Sequence, residues 1–139
     1  MNKIIKLLVI SSVMFCHAAM ARSAAPDDAV VYIISPAAGA VVNNPVTIQF
    51  GLKGMGVAPA GVDKPNTGHH HLLIDVAEPQ NLDAPVPKDD HHRHFGSGQT
   101  EATLELSPGK HTLQLLLGDK DHIPHDPPLI SDVITITVK

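Results

Sequence analysis

Ten histidines in 139 residues are the strongest chemical signal of this chain. One, His17, lies near the start; eight of the others fall in three short runs: His69, His70 and His71; His91, His92 and His94; and His122 and His125. Neutral imidazole is the commonest protein ligand for Zn, Cu, Ni and Fe ions. On an extended strand His69 and His71 point to one face and His70 to the other, and either face can supply a ligand at a splayed strand end. His122 and His125 stand three residues apart around Pro124, in a loop stiffened by Pro127 and Pro128. Asp119, Asp121 and Asp126 are available as further ligands or as acceptors for imidazole N–H groups. His91 and His92, beside Lys88, Asp89, Asp90 and Arg93, read better as part of a solvated loop. His111 reads as structural, and Gln99 as a side chain bonding its own loop.

Other chemistry is excluded. There is no HExxH, no CxxC and no glycine-rich phosphate loop. The single cysteine, Cys16, lies in a leader-like segment, so blue-copper and iron–sulfur centres have no thiolate to use. Met55 is the only methionine after Ala21, which argues against a methionine-rich Cu(I) site. The formal charge of -4 and the lack of any basic run argue against nucleic acid. With aromatic residues at 3% and no Trp, stacking platforms for bases or sugars are also missing.

Residues 1–21 read as a cleaved signal peptide. Lys3 and Lys6 give the positive start, Leu7 to Ala19 the apolar stretch, and Ala19-Met20-Ala21 the small-x-small cleavage site. The stretch is too short for a permanent membrane span, and the bulky Phe15 before Cys16 argues against lipid attachment. The expected product begins at Arg22, is periplasmic or secreted, and has no cysteine.

Positioning these histidines falls to strands, because the 12 prolines argue against an all-helical chain and period-two alternation dominates. Strands are expected at 30–35, 46–52, 69–76, 100–106, 111–117 and 131–138, with the fourth and fifth joined as a hairpin by Ser107-Pro108-Gly109-Lys110. Six or seven short strands without a helix predict one all-β domain over 22–139, an immunoglobulin-like antiparallel β-sandwich. In such a sandwich the strands at 69–76 and 100–106 run the same way. The segment 77–99 must therefore cross back, and Pro79, Pro85 and Pro87 suit an extended, poorly paired return. Eight histidines then gather at one pole, and His111 lies at the other.

The strings GHHHLLID (68–75), HFGSGQTEATLELSPGKHTLQLLLGD (94–119) and HIPHDPP (122–128), followed by Ser131, resemble an exported bacterial family, domain of unknown function 4399. The likeness runs from about Ala29 to Lys139. It implies a small secreted or periplasmic domain and carries over no activity. His70, His71, His94, Gln99, His122 and His125 match the family's strings by position. The candidate ligands are accordingly His70, His71, His94, His122 and His125, for a Zn or Cu(II) ion. Three classes of function fit. One is a metal-binding module. The second is a structural or interaction module, docking a periplasmic protein partner, whose histidines fix loops or respond to pH. The third is a metal-dependent enzyme, the weakest because no general base, nucleophile or substrate pocket is evident.

Overall fold

The computed structural model describes residues 21–78 and 80–139. The expected leader lies, but for Ala21, outside these residues. Among the described residues there is no helix, and nine strands form two sheets. The strands are β1 (Val30–Ser35), β2 (Val41–Val42), β3 (Val46–Lys53), β4 (Gly56–Val57), β5 (Thr67–Ile74), β6 (His92–His94), β7 (Glu101–Leu104), β8 (Gly109–Gly118) and β9 (Ile134–Val138). The first sheet has the order β1-β3-β7. The second has the order β2-β9-β8-β5-β4, with β6 also paired to β5. The chain is an all-β sandwich.

Alternation explains the shared core. On β3, Val46, Ile48 and Phe50 turn inward while Thr47 and Gln49 face solvent. They meet Leu72 and Ile74 of β5, Leu113, Leu115 and Leu117 of β8, and Ile136 and Val138 of β9. β5 departs from the half-buried pattern, being buried on both faces from Gly68 to Ile74. Its outer face is covered too: Leu73 and Leu116 pack with Val86 from the 75–91 connection, flanked by Val76 and Ile130. This second apolar layer closes the side of the sheet where His69 and His71 lie.

Two expectations about connectivity meet different fates. The 77–99 segment does return toward the start of β5, and its last part is β6, antiparallel to β5 with His94 opposite His71. The hairpin between the fourth and fifth expected strands does not form. β7 pairs instead with β3, from Val46↔Leu104 to Gln49↔Glu101, whereas β8 pairs with β5 and β9. The Asn44 amide accounts for this. Its Nδ2 donates to Leu106 O (2.6 Å) and its Oδ1 accepts from Leu106 N (3.1 Å). The chain is thus tied to the first sheet before Ser107-Pro108 carries it across to the second.

Candidate metal centre

The centre is built on the outer face of β5. His69 and His71 project there one pleat apart, and both are fully buried. Their Nε2 atoms lie 3.0 Å apart. The β5–β6 register sets His94 beside them, its ring centre 5.2 Å from that of His71 and 5.0 Å from that of His69. His122 closes the group from the loop after β8, with ring centres 4.8 Å from His94 and 5.0 Å from His69. One ligand atom from each of His69, His71 and His94 lies within 4.8 Å of the others. Nitrogen ligands about 2.0–2.1 Å from a tetrahedral Zn would stand roughly 3.3 Å apart, so small side-chain motions bring the three rings onto one ion.

Glycines make the room. A Cβ on Gly118, which faces His69 across the β5–β8 ladder, would stand 2.8 Å from His71 Nε2 and 3.3 Å from the His122 Cα. A Cβ on Gly96 would lie 2.5 Å from His94 Nε2. His122 itself adopts a left-handed backbone, φ 68°, in a loop organised by Asp119. Asp119 Oδ1 accepts from the backbone N–H groups of Asp121 (2.9 Å) and Ile123 (3.0 Å), and Asp119 O accepts from His122 N (2.9 Å). Burial works against ionisation of Asp119, yet the Ser23 hydroxyl and these N–H groups hold its carboxyl below the usual range.

The rings of His69, His71 and His94 resist protonation. Burial, then the neighbouring His122 and His94, lowers His69 to about 4. Burial and the facing His69, His94 and His122 lower His71 to about 3. Burial, His122 and Lys88 also lower His94. At neutral pH the centre therefore offers lone pairs rather than positive charge. His69 and His71 share a hydrogen bond, but His94 Nε2 is buried without a partner.

Of the five expected ligands, the structure brings together His71, His94 and His122 and leaves His70 and His125 apart. The ring of His70 faces the sandwich interior, 5.2 Å from the centre of Phe50 and tilted against it. Neither of its nitrogens has a partner, and burial lowers it to about 4. His125 is wedged between strands, Nδ1 3.4 Å from Leu117 O and Nε2 3.2 Å from Thr67 O, so carbonyl oxygens engage both nitrogens. His69 takes the place expected of His70. Strand parity carried that signal, since only His69 shares a face with His71. The remaining histidines bond elsewhere. His91 Nδ1 meets Ile74 O (2.8 Å), His92 Nδ1 meets Asp89 Oδ1 (2.9 Å), and His111 bridges Asp75 Oδ2 (2.7 Å) and Ser107 O (2.8 Å). Gln99 accepts from Ser97 N within its own loop. Asp121 pairs with Lys120 and Asp126 lies 3.9 Å from Arg22, so neither acts on the rings.

The family model for a domain of unknown function (DUF4399) matches residues 48–139. The chain belongs to this family. The match takes in all four clustered histidines and their cradling glycines, while β1 and the segment before it precede the matched stretch. No curated protein and no solved structure matches the chain.

His70 supplies a direct check on which face holds the centre. Replacing His70 by Leu exchanges a buried, unpartnered imidazole for an apolar group, so the fold should gain about 1–3 kcal/mol in denaturant unfolding. Metal affinity should be unchanged. Loss of metal binding in His70→Leu would move the centre to the interior face.

Proposed function

We propose that this member of the domain of unknown function 4399 family binds one transition-metal ion, Zn(II) or Cu(II), through His69, His71 and His94, with His122 as the fourth ligand. The observation that carries the reading is the convergence of three imidazoles of lowered pKa, two fully buried and one half-buried, from two strands within 4.8 Å. A hydrogen-bonded network alone pairs His69 with His71 and leaves His94 Nε2 buried and unsatisfied, at a cost of about 1–3 kcal/mol. An ion shared by the rings removes that cost. Imidazole without thiolate suits Zn and Cu(II). Four protein ligands on one ion make a closed site, which holds metal rather than presenting it to a substrate. The cleft lined by Ser23, Asp63, Lys64, Asp119 and His125 lies beside the cluster without including any of its four rings.

The same proposal places the protein in the periplasm or outside the cell, supported by the positive start, apolar run and Ala19-Met20-Ala21 site of the sequence. It takes the sandwich as immunoglobulin-like, supported by the division of β1, β3 and β7 from β5, β8 and β9. The test is elemental analysis of untagged protein from a periplasmic fraction, dialysed against Zn(II) or Cu(II). One equivalent per chain, lost in His71→Ala, is the expected result. Less than a tenth of an equivalent of either ion would refute the reading and leave the histidines as a network that fixes loops.

A further inference from the structure

The segment before β1 is tied to the loop that carries His122. Arg22 Nε donates to Pro124 O (3.1 Å), and its guanidinium also donates to His125 O. Asp126 N donates to Ser23 O (2.9 Å), and Ala25 N to Asp126 O (2.9 Å), so Ala24 and Asp126 form a short parallel bridge. Ser23 Oγ donates to Asp119 Oδ2 (2.6 Å). That last contact reaches the centre of the loop. The other oxygen of the same carboxylate holds the N–H groups of Asp121 and Ile123, the residues on either side of His122. From its far side the loop is held by Val86 N donating to His122 O (2.9 Å).

We propose that Ser23 and Asp119 are the positioning residues of the metal centre: the strap Arg22–Ala25 latches Asp119, and Asp119 fixes the left-handed turn that seats His122 over the other three rings. The proposal rests on the metal-binding reading above. His69, His71 and His94 stand on paired strands and need no such support, whereas His122 stands on a loop in a left-handed backbone conformation, uncommon for a non-glycine residue and held here by its surroundings. The strap supplies those surroundings. With the latch removed, three ligands remain and the fourth is free to leave. Partners bonded directly to a ligating ring are worth about 10–100-fold in metal affinity; Ser23 and Asp119 act one step further out, through the loop backbone, so the lower end of that range is expected.

Co(II) reads coordination directly, because its visible absorption is strong in a four-coordinate site and weak in a six-coordinate one. The full chain as exported should bind Co(II) with the strong spectrum. Ser23→Ala, which removes one hydroxyl, should bind about 10-fold more weakly and show at saturation the altered bands of His122→Ala, in which water replaces the fourth imidazole, rather than those of the parent. Asp119→Asn should do the same. The double variant Ser23→Ala/His122→Ala should bind no more weakly than His122→Ala alone, because the latch acts only through that ring. A structural role for Ser23 would lower the melting temperature of the metal-free protein while leaving the Co(II) bands and affinity those of the parent, and that result overturns the proposal. So does a further loss in the double variant. If the parent binds no Co(II), the metal reading itself has failed and the latch fails with it.

Discussion

Adding Zn(II) or Cu(II) to the metal-free protein at pH 7.5 is expected to raise its melting temperature by on the order of 10 °C. An ion bound by the folded chain alone stabilises it by about 2.7 kcal/mol at a free concentration a hundred times the dissociation constant. A domain of this length shifts by several degrees for each kcal/mol. The unfolded chain keeps no comparable site, because His71 and His94 meet only across the β5–β6 ladder and His122 only through the loop after β8. Single replacement of His69, His71 or His94 by Ala should remove the ion-dependent shift. His125→Ala should lower the melting temperature of the metal-free protein, since that ring is wedged between Leu117 O and Thr67 O, yet retain the shift. His111→Ala should retain it too, because His111 bonds Asp75 and Ser107. A shift of equal size in His71→Ala and in the parent would show that the ion binds elsewhere. The effect should persist below pH 6.5 and fade near pH 4, where the folded His69 begins to take up protons in competition with the metal.

The histidine runs and the strand that carries His69–His71 were legible in the sequence, and so was the parity that sets His69 with His71 against His70. Two further facts decide the centre and are tertiary. The first is the pairing of His94 with His71. β6 is only three residues, His-Arg-His, with no apolar alternation to mark a strand. What holds it is its antiparallel ladder to β5, from His71↔His94 to Leu73↔His92. The second is the backbone of His122, where Asp119 imposes a left-handed turn that spacing in HIPHDPP does not reveal. The mistaken hairpin has the same origin. The strands 102–106 and 113–117 alternate alike, and alternation says which face is buried but not which strand is the neighbour. The Asn44 amide on Leu106 settles the neighbour, from 62 residues away.

Without metal, the fold should lose stability steeply between about pH 6.5 and pH 4. His69 and His70 are lowered to about 4 and His71 to about 3, chiefly by burial. In the unfolded chain each titrates near 6.5. As pH falls through that window the unfolded state takes up protons that the folded state refuses, so unfolding becomes progressively easier. Each proton of difference contributes a slope of about 1.4 kcal/mol per pH unit, or roughly 4 kcal/mol per unit when all three act. His111 has the opposite sign. Its bond to the Asp75 carboxylate, with the Ser107 carbonyl, raises its affinity for a proton. Its contribution is complete below pH 6.5 and is lost as pH rises through its folded value. Asp75 is lowered, the bonds from His111 and Thr112 N outweighing burial, so its share is lost only as pH falls below the ordinary carboxylate range. Stability should therefore peak near neutrality, with a gentle fall above and a steep one below. Urea midpoints of metal-free protein measured from pH 8 to pH 4 check this. His70→Leu should cut the acid slope by about a third, and His111→Ala should flatten only the limb above pH 6.5. Equal stability at pH 6.5 and pH 4.5 would mean that these three imidazoles, His69 and His71 of the proposed centre among them, take up protons as readily in the fold as in the unfolded chain.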